Sequence, residues 1–153
     1  MKLFQSALLL GSLTLGIGSA FAANDDIVGK WRSIDDKTGF SKGIIEISKD
    51  SNGVYSGKII EVVPRPGYTP KSVCDKCTGE LKNKPVLGLQ VLSNMKQSAN
   101  NKNEFSGGTI LDPLNGKFYK SKIRLSSNGS RITMRGYVGV EVVGRSQTWI
   151  RQE

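Results

Sequence analysis

The chain has 153 residues, with 22 lysines and arginines against 13 aspartates and glutamates, a formal net charge of +9, and no histidine. That length suits one domain, built on a single core or around one modest cavity. Without histidine, Ser-His-Asp and Cys-His nucleophile systems are excluded, and most mononuclear hydrolytic metal sites with them, while the basic balance favours anionic partners.

Taken in order, the chain opens on Lys2, an apolar core over Leu8 to Ile17, and the small-x-small sequence Ala20-Phe21-Ala22. These are the parts of a bacterial signal peptide over residues 1–22, with the cut expected after Ala22. The apolar core falls short of the roughly 18 to 20 residues a membrane span needs, and no cysteine follows it for lipid attachment. The product is expected to be exported, periplasmic or secreted, and not membrane-spanning. Loss of Lys2 lowers its positive charge by only one. The remaining cations are scattered, without a run of five or six, and nucleic acid is not an expected partner in that compartment.

Ile27 to Ile34 reads as a first strand, and Asp35-Asp36-Lys37-Thr38-Gly39 as a turn. Lys42 to Lys49 is a second strand, closed by Asp50-Ser51-Asn52-Gly53, whose Asn-Gly pair is a strong hairpin signal. Val54 to Val63 is a third, with Val54, Ser56, Lys58, Ile60 and Val62 sharing one face. A long segment, Pro64 to Lys84, then breaks the rhythm. Pro85 to Leu92 reads as a fourth strand, opened by a proline, and the amide-rich Ser93 to Asn103 as an exposed loop. Glu104 to Leu111 is a fifth strand, bent at Gly107-Gly108. A turn at Asp112 to Gly116 leads into Lys117 to Leu125, which alternates cleanly, with Tyr119, Ser121, Ile123 and Leu125 on one side. Ser126 to Gly129 turns the chain into Arg131 to Val138, and Val142 to Arg151 ends the series. No window of ten residues holds an apolar period of 3.6, so no helix is expected. The fold class is therefore all-β: a single antiparallel up-and-down β-barrel of about eight strands over residues 23–153, with a two-sheet sandwich as the alternative.

Cys74 and Cys77 are the only cysteines. Two thiols three residues apart in an oxidising compartment are expected to form a disulfide. A redox-active pair is the lesser reading, because the flanks do not read as a helix whose N-terminus would favour a thiolate. Two thiolates are half a zinc site and no histidine completes it, so neither metal nor cofactor is expected. For catalysis only a carboxylate pair, or a lysine or tyrosine base, is left. Asp35, Asp36 and Asp112 read as turn formers instead, and the chain is read as a binding protein and not an enzyme.

At the two ends, Gly29-Lys30-Trp31 begins the first strand and Trp149-Ile150-Arg151 ends the last. A closed barrel makes those strands neighbours, so an arginine, Arg145 or Arg151, is expected to lie flat on an indole. The pattern resembles the Gly-x-Trp and terminal arginine of lipocalin-like barrels. Six segments carry a fuller resemblance: Gly29 to Asp35, Cys74 to Glu80, Lys84 to Leu89, Ser106 to Lys117, Arg135 to Gly139 and Gly144 to Trp149. Together they resemble the DUF2147 family of small exported bacterial proteins. The resemblance implies a lipocalin-like barrel and, by fold analogy, a small hydrophobic or amphipathic ligand.

Glu46, Glu61 and Arg135 lie within strands, where a charge facing inward would have to be paired or meet a ligand headgroup. Together with Tyr68 of the long loop, they are the candidate ligand contacts. Long loops in compact domains tend to be functional, so Pro64 to Lys84 is expected to act as a lid across one mouth, held by Cys74–Cys77. The competing expectation is a filled barrel that binds an anionic envelope component, or a protein, through its basic surface. Nothing in the sequence bears on oligomeric state.

Overall fold

The tight turns are made by short polar side chains folded back on the backbone. In the computed structural model, which describes residues 26–153, Asp50 accepts the amides of Asn52 at 2.8 Å and Val54 at 2.9 Å. Asp35 does the same for Lys37 and Thr38, Asp112 for Leu114, and Asn128 for Ser130. Each bond gives an otherwise orphaned turn amide a partner, which is why aspartate or asparagine stands where a strand ends. The signal peptide expected over residues 1–22, with its cut after Ala22, lies outside the described residues.

Eight strands result: β1 (Gly29–Ile34), β2 (Ser41–Lys49), β3 (Val54–Val62), β4 (Gln90–Gln97), β5 (Glu104–Asp112), β6 (Lys117–Leu125), β7 (Arg131–Tyr137) and β8 (Gly144–Gln152). Each pairs antiparallel with the next, and β1 pairs with β8, so the sheet closes into a barrel. Among the described residues the one helical element is a 3-10 turn at Gly79–Leu81. No helix among them is long and apolar enough to cross a membrane.

One expected boundary is wrong. The fourth strand does not run from Pro85 to Leu92 but from Gln90–Gln97, and Ser93 to Gln97, read as loop, is sheet. Gly88 takes φ +86° and breaks the extended run, although Ile59 still exchanges backbone bonds with Gly88 and Leu89. Further on, Asn94 at φ +59° forms a bulge, so Leu92 and Met95 both point inward across an odd spacing. That bulge erases the alternation by which strands are recognised. In β3, the inward residues are Tyr55 and Gly57, with Ile59 half-buried, and the face bearing Lys58 and Ile60 is outside.

The barrel is filled at one end only. Trp31 is buried against Ile27, and its indole Nε1 donates to the Ile27 carbonyl at 2.8 Å. Around it Ile47, Tyr55, Met95, Phe105, Leu125 and Ile132 are buried. Tyr55 and Phe105 meet edge to face with centroids 5.1 Å apart.

Of the two candidate arginines, the geometry selects Arg151. It sits directly across from Trp31 in the β1–β8 register, with its guanidinium 4.2 Å from the ring centroid. Its three nitrogens donate to the carbonyls of Gly129 at 2.7 Å, Val28 at 2.9 Å and Asp26 at 2.6 Å. One planar cation thus joins the chain's entry, the β6–β7 turn and the last strand. Gly29 makes room for it: its φ is +131°, and a Cβ there would lie 3.2 Å from Arg151 Nη1.

Replacing Arg151 with alanine strands three carbonyls and uncovers the indole. The Arg151→Ala chain is expected to lose about 2–4 kcal/mol of unfolding free energy. Arg151→Lys should recover less than half of it, because an ammonium cannot serve three carbonyls in one plane. Urea unfolding of the three chains measures both.

Candidate functional site

The other end of the barrel is open, and four connections surround it: the turns after β1, β5 and β7 and the long segment after β3. Between them lies a cavity of about 370 Å³, near the small end of the range for ligand pockets. Its walls are apolar, from Ile45, Ile59, Val91, Ile110, Met134 and Trp149. Polar groups also line it: Ser33 is buried, Gln147, Tyr119, Arg65 and Tyr68 are half-buried, and Asn115 is exposed. Asn115 Nδ2 donates to the Tyr119 hydroxyl at 2.9 Å, and Trp149 Nε1 approaches Gln147 Oε1 at 3.5 Å.

The long segment after β3 does two separate jobs. Its first part returns on itself at Arg65 and Tyr68, which exchange backbone bonds. The Arg65 guanidinium covers the Tyr68 ring at 4.4 Å and approaches Asp35 at 3.8 Å. Tyr68, Pro70 and Lys71 are thereby held along the cavity edge.

Its second part is a staple. Cys74 and Cys77 form a disulfide, and both are buried with the core. Cys74 Sγ sits 3.4 Å from the Pro113 carbonyl oxygen of the β5–β6 turn. There the contact is backbone on backbone: Gly116 has φ +71°, and a Cβ on it would fall 2.1 Å from the Lys76 carbonyl oxygen. Lys71 pairs with the Asp75 carboxylate at 2.8 Å, and Lys82 donates to the Asp75 carbonyl. The cysteines therefore lie beside the mouth, fastening the loop to a turn two strands further on.

The sequence-derived contact residues scatter. Tyr68 and Glu61 line the cavity, Glu61 at an exposed rim position. Glu46 does not: it is exposed on the outer wall, opposite Lys30 on one side and Lys58 on the other. Its strand runs Ile45-Glu46-Ile47, so the period of two that turns both isoleucines inward turns Glu46 out. Arg135 is not a cavity residue either. It ties down the β7–β8 turn, donating to the carbonyls of Glu141 at 2.7 Å and Val142 at 3.2 Å and to Ser146 Oγ at 3.0 Å. Arg145 reaches Asp36 at 2.6 Å, linking β8 to the β1–β2 turn at the rim. The cavity groups that sequence reasoning missed include Ser33, Arg65, Asn115 and Gln147. Tyr119 carried a usable signal, since it shares a face with Ser121 and Ile123.

Arg145 donates two hydrogen bonds to Asp36 and holds its carboxyl below the usual carboxylate range. Burial opposes the same shift at Asp35, but the Thr38 amide and hydroxyl, the Lys37 amide and the charge of Lys42 together outweigh it and the carboxyl still lies low.

Comparison with known proteins places this geometry. Residues 29–151 match the model of a family described as an uncharacterized protein conserved in bacteria, DUF2147. Among solved structures, one similar chain is Helicobacter pylori protein HP1028, described as belonging to the lipocalin family. It is 21% identical, with a TM-score of 0.69 and 84% of each chain covered, a likeness of fold. The comparison with curated protein sequences found no match.

Two outcomes follow from the rim contacts. Gly116→Ala is expected to cost roughly 2–4 kcal/mol, from a left-handed backbone and the clash with Lys76. Proteolysis within residues 72–84 should precede global unfolding in that chain. A depressed folded pKa at Asp36 means its contribution is complete above the ordinary aspartate value and is lost as pH falls through the folded one. A carboxyl-carbon NMR titration should show the Asp36 midpoint below that of a peptide aspartate, rising toward it in Arg145→Gln.

Proposed function

The chain belongs to the DUF2147 family of bacterial proteins, and on that footing we propose that it is an exported, non-enzymatic binding protein that holds one small amphipathic molecule in the open half of its barrel. The observation that carries this reading is the cavity itself: about 370 Å³, apolar below and polar at the rim, above a tightly filled half. A fully packed barrel of eight strands needs no such space, since side chains suffice to fill one. An apolar body would rest against Ile45, Val91, Ile110 and Met134. A polar end would stay among Tyr119, Asn115, Tyr68 and Arg65.

The first part of the 64–84 segment acts in this reading as a fixed rim over the ligand, and the disulfide keeps that rim in place. The signal peptide over residues 1–22 is part of the same proposal, because it would deliver the barrel to the periplasm. There the disulfide can form and persist.

Native mass spectrometry on protein recovered from the periplasm is expected to show extra mass that disappears on denaturation. Val91→Phe narrows the cavity without adding a polar group, so the variant should keep its fold. It should bind the apolar fluorophore 1-anilinonaphthalene-8-sulfonate at least tenfold more weakly than the parent chain. Equal dye binding by both chains, with no native-only mass, would remove the ligand from the account.

A further inference from the structure

The β7–β8 turn carries more exposed apolar surface than the cavity reading requires. Val138 is 63% exposed, Val140 59%, Val142 84% and Val143 63%. The turn is nonetheless well built. Val138 and Val143 close it by a backbone bond of 3.1 Å, and Arg135 fastens its carbonyls from below. Val140 and Val142 are thus held out in water by a structured hairpin, with Val138 and Val143 beside them at the cavity edge, where solubility alone would select polar residues. Two other connections at the same end add Phe40, 53% exposed, and Leu114, 43% exposed.

Charge at this end is uneven in a consistent direction. Most acids near the rim are engaged: Asp35 with Arg65, Asp36 with Arg145, Glu141 with Lys122 at 3.4 Å. Asp112 is turned back onto the Leu114 amide, and Glu61 stands on β3, three strands round the barrel from β8. Among the described residues Lys37, Lys117 and Lys120 are exposed and make no ion pair, although Lys117 stands opposite Asp112 in the β5–β6 ladder. What this end presents outward is valine, phenylalanine and leucine beside exposed lysine.

We infer that the mouth end docks on the surface of an anionic lipid bilayer, with the Val138–Val143 hairpin entering the headgroup layer and the lysines resting on lipid phosphates. The apolar side chains come from three separate connections, not from one flat face. A fluid interface accepts such a set without a matching shape, whereas a protein partner needs a complementary surface of roughly 800 Å² per side. A second copy is disfavoured by charge, since the +9 of the full sequence falls by only one on export and each copy would meet the other's lysines. The inference stands whether or not the cavity holds a ligand.

The test is flotation of the chain recovered from the periplasm with vesicles of phosphatidylglycerol and phosphatidylcholine, or of phosphatidylcholine alone, at low and high salt. The parent chain is expected to float with the anionic vesicles at low salt, at least fivefold less at high salt, and hardly with the neutral ones. Val142→Asp combined with Val143→Asp should lower the bound fraction at least tenfold with unfolding midpoint unchanged. Both chains keep the same N-terminal segment, so the difference reports the hairpin. Val142→Trp supplies a local readout, because Trp31 and Trp149 are already buried. Its emission should shift to the blue on adding anionic vesicles. Equal flotation of the parent and the double aspartate chain, or no shift from Val142→Trp, would overturn the inference. So would a concentration-dependent dimer in gel filtration that the double aspartate chain abolishes, which would make a second copy the occupant.

Discussion

The closure of β1 against β8 is the constraint on which the rest of the barrel depends. A sheet of eight strands has two raw edges, and each would expose a row of unpaired amides and carbonyls. Here the edges meet over Lys30 to Ser33 and Trp149 to Gln152. The seam is held by more than its ladder, because Arg151 lies on Trp31 and binds three carbonyls from two other parts of the chain. Those carbonyls belong to the closed end, so a single side chain both seals the seam and floors the barrel. Large apolar side chains can then fill the lower half around Trp31 without meeting water.

The upper half is open because nothing equivalent spans it. The longest connection does not plug the mouth; it runs along one edge and is fastened to the β5–β6 turn through the disulfide segment. The rim is braced by pairs between neighbouring connections, Arg65 with Asp35 and Arg145 with Asp36. Each pair is at least partly exposed and modest in energy. Their effect is geometric: they fix the spacing of loops that would otherwise close over, or fall into, the cavity. A rigid floor, a braced rim and an apolar well between them are the geometry on which the proposed ligand reading rests.

Much of this was legible in the strands that alternate. In β6, Ser121, Ile123 and Leu125 follow the inward face without interruption, and the flanking turns carry aspartate, asparagine and glycine where the backbone needs them. The end-to-end pairing of Gly29-x-Trp31 with a terminal arginine was legible too, as a consequence of closure. The fourth strand was not, because the bulge at Asn94 breaks its period and Gly88 interrupts the apolar run before it. Glu46 and Arg135 were misjudged as cavity contacts for a related reason. A charged residue inside a strand has no sign of its own facing; only its neighbours in register, Lys30 and Lys58 for Glu46, supply it.

By itself the sequence determined the fold class, the strand count, the turns and the family, because each depends on local period, local turn chemistry or ordered segments of residues. The choice between Arg145 and Arg151 was decided only by the tertiary structure, which places one at the rim with Asp36 and the other over the Trp31 ring. The same holds for the cavity, whose walls come from all eight strands. No local pattern encodes the empty space between side chains that meet only when the sheet has closed.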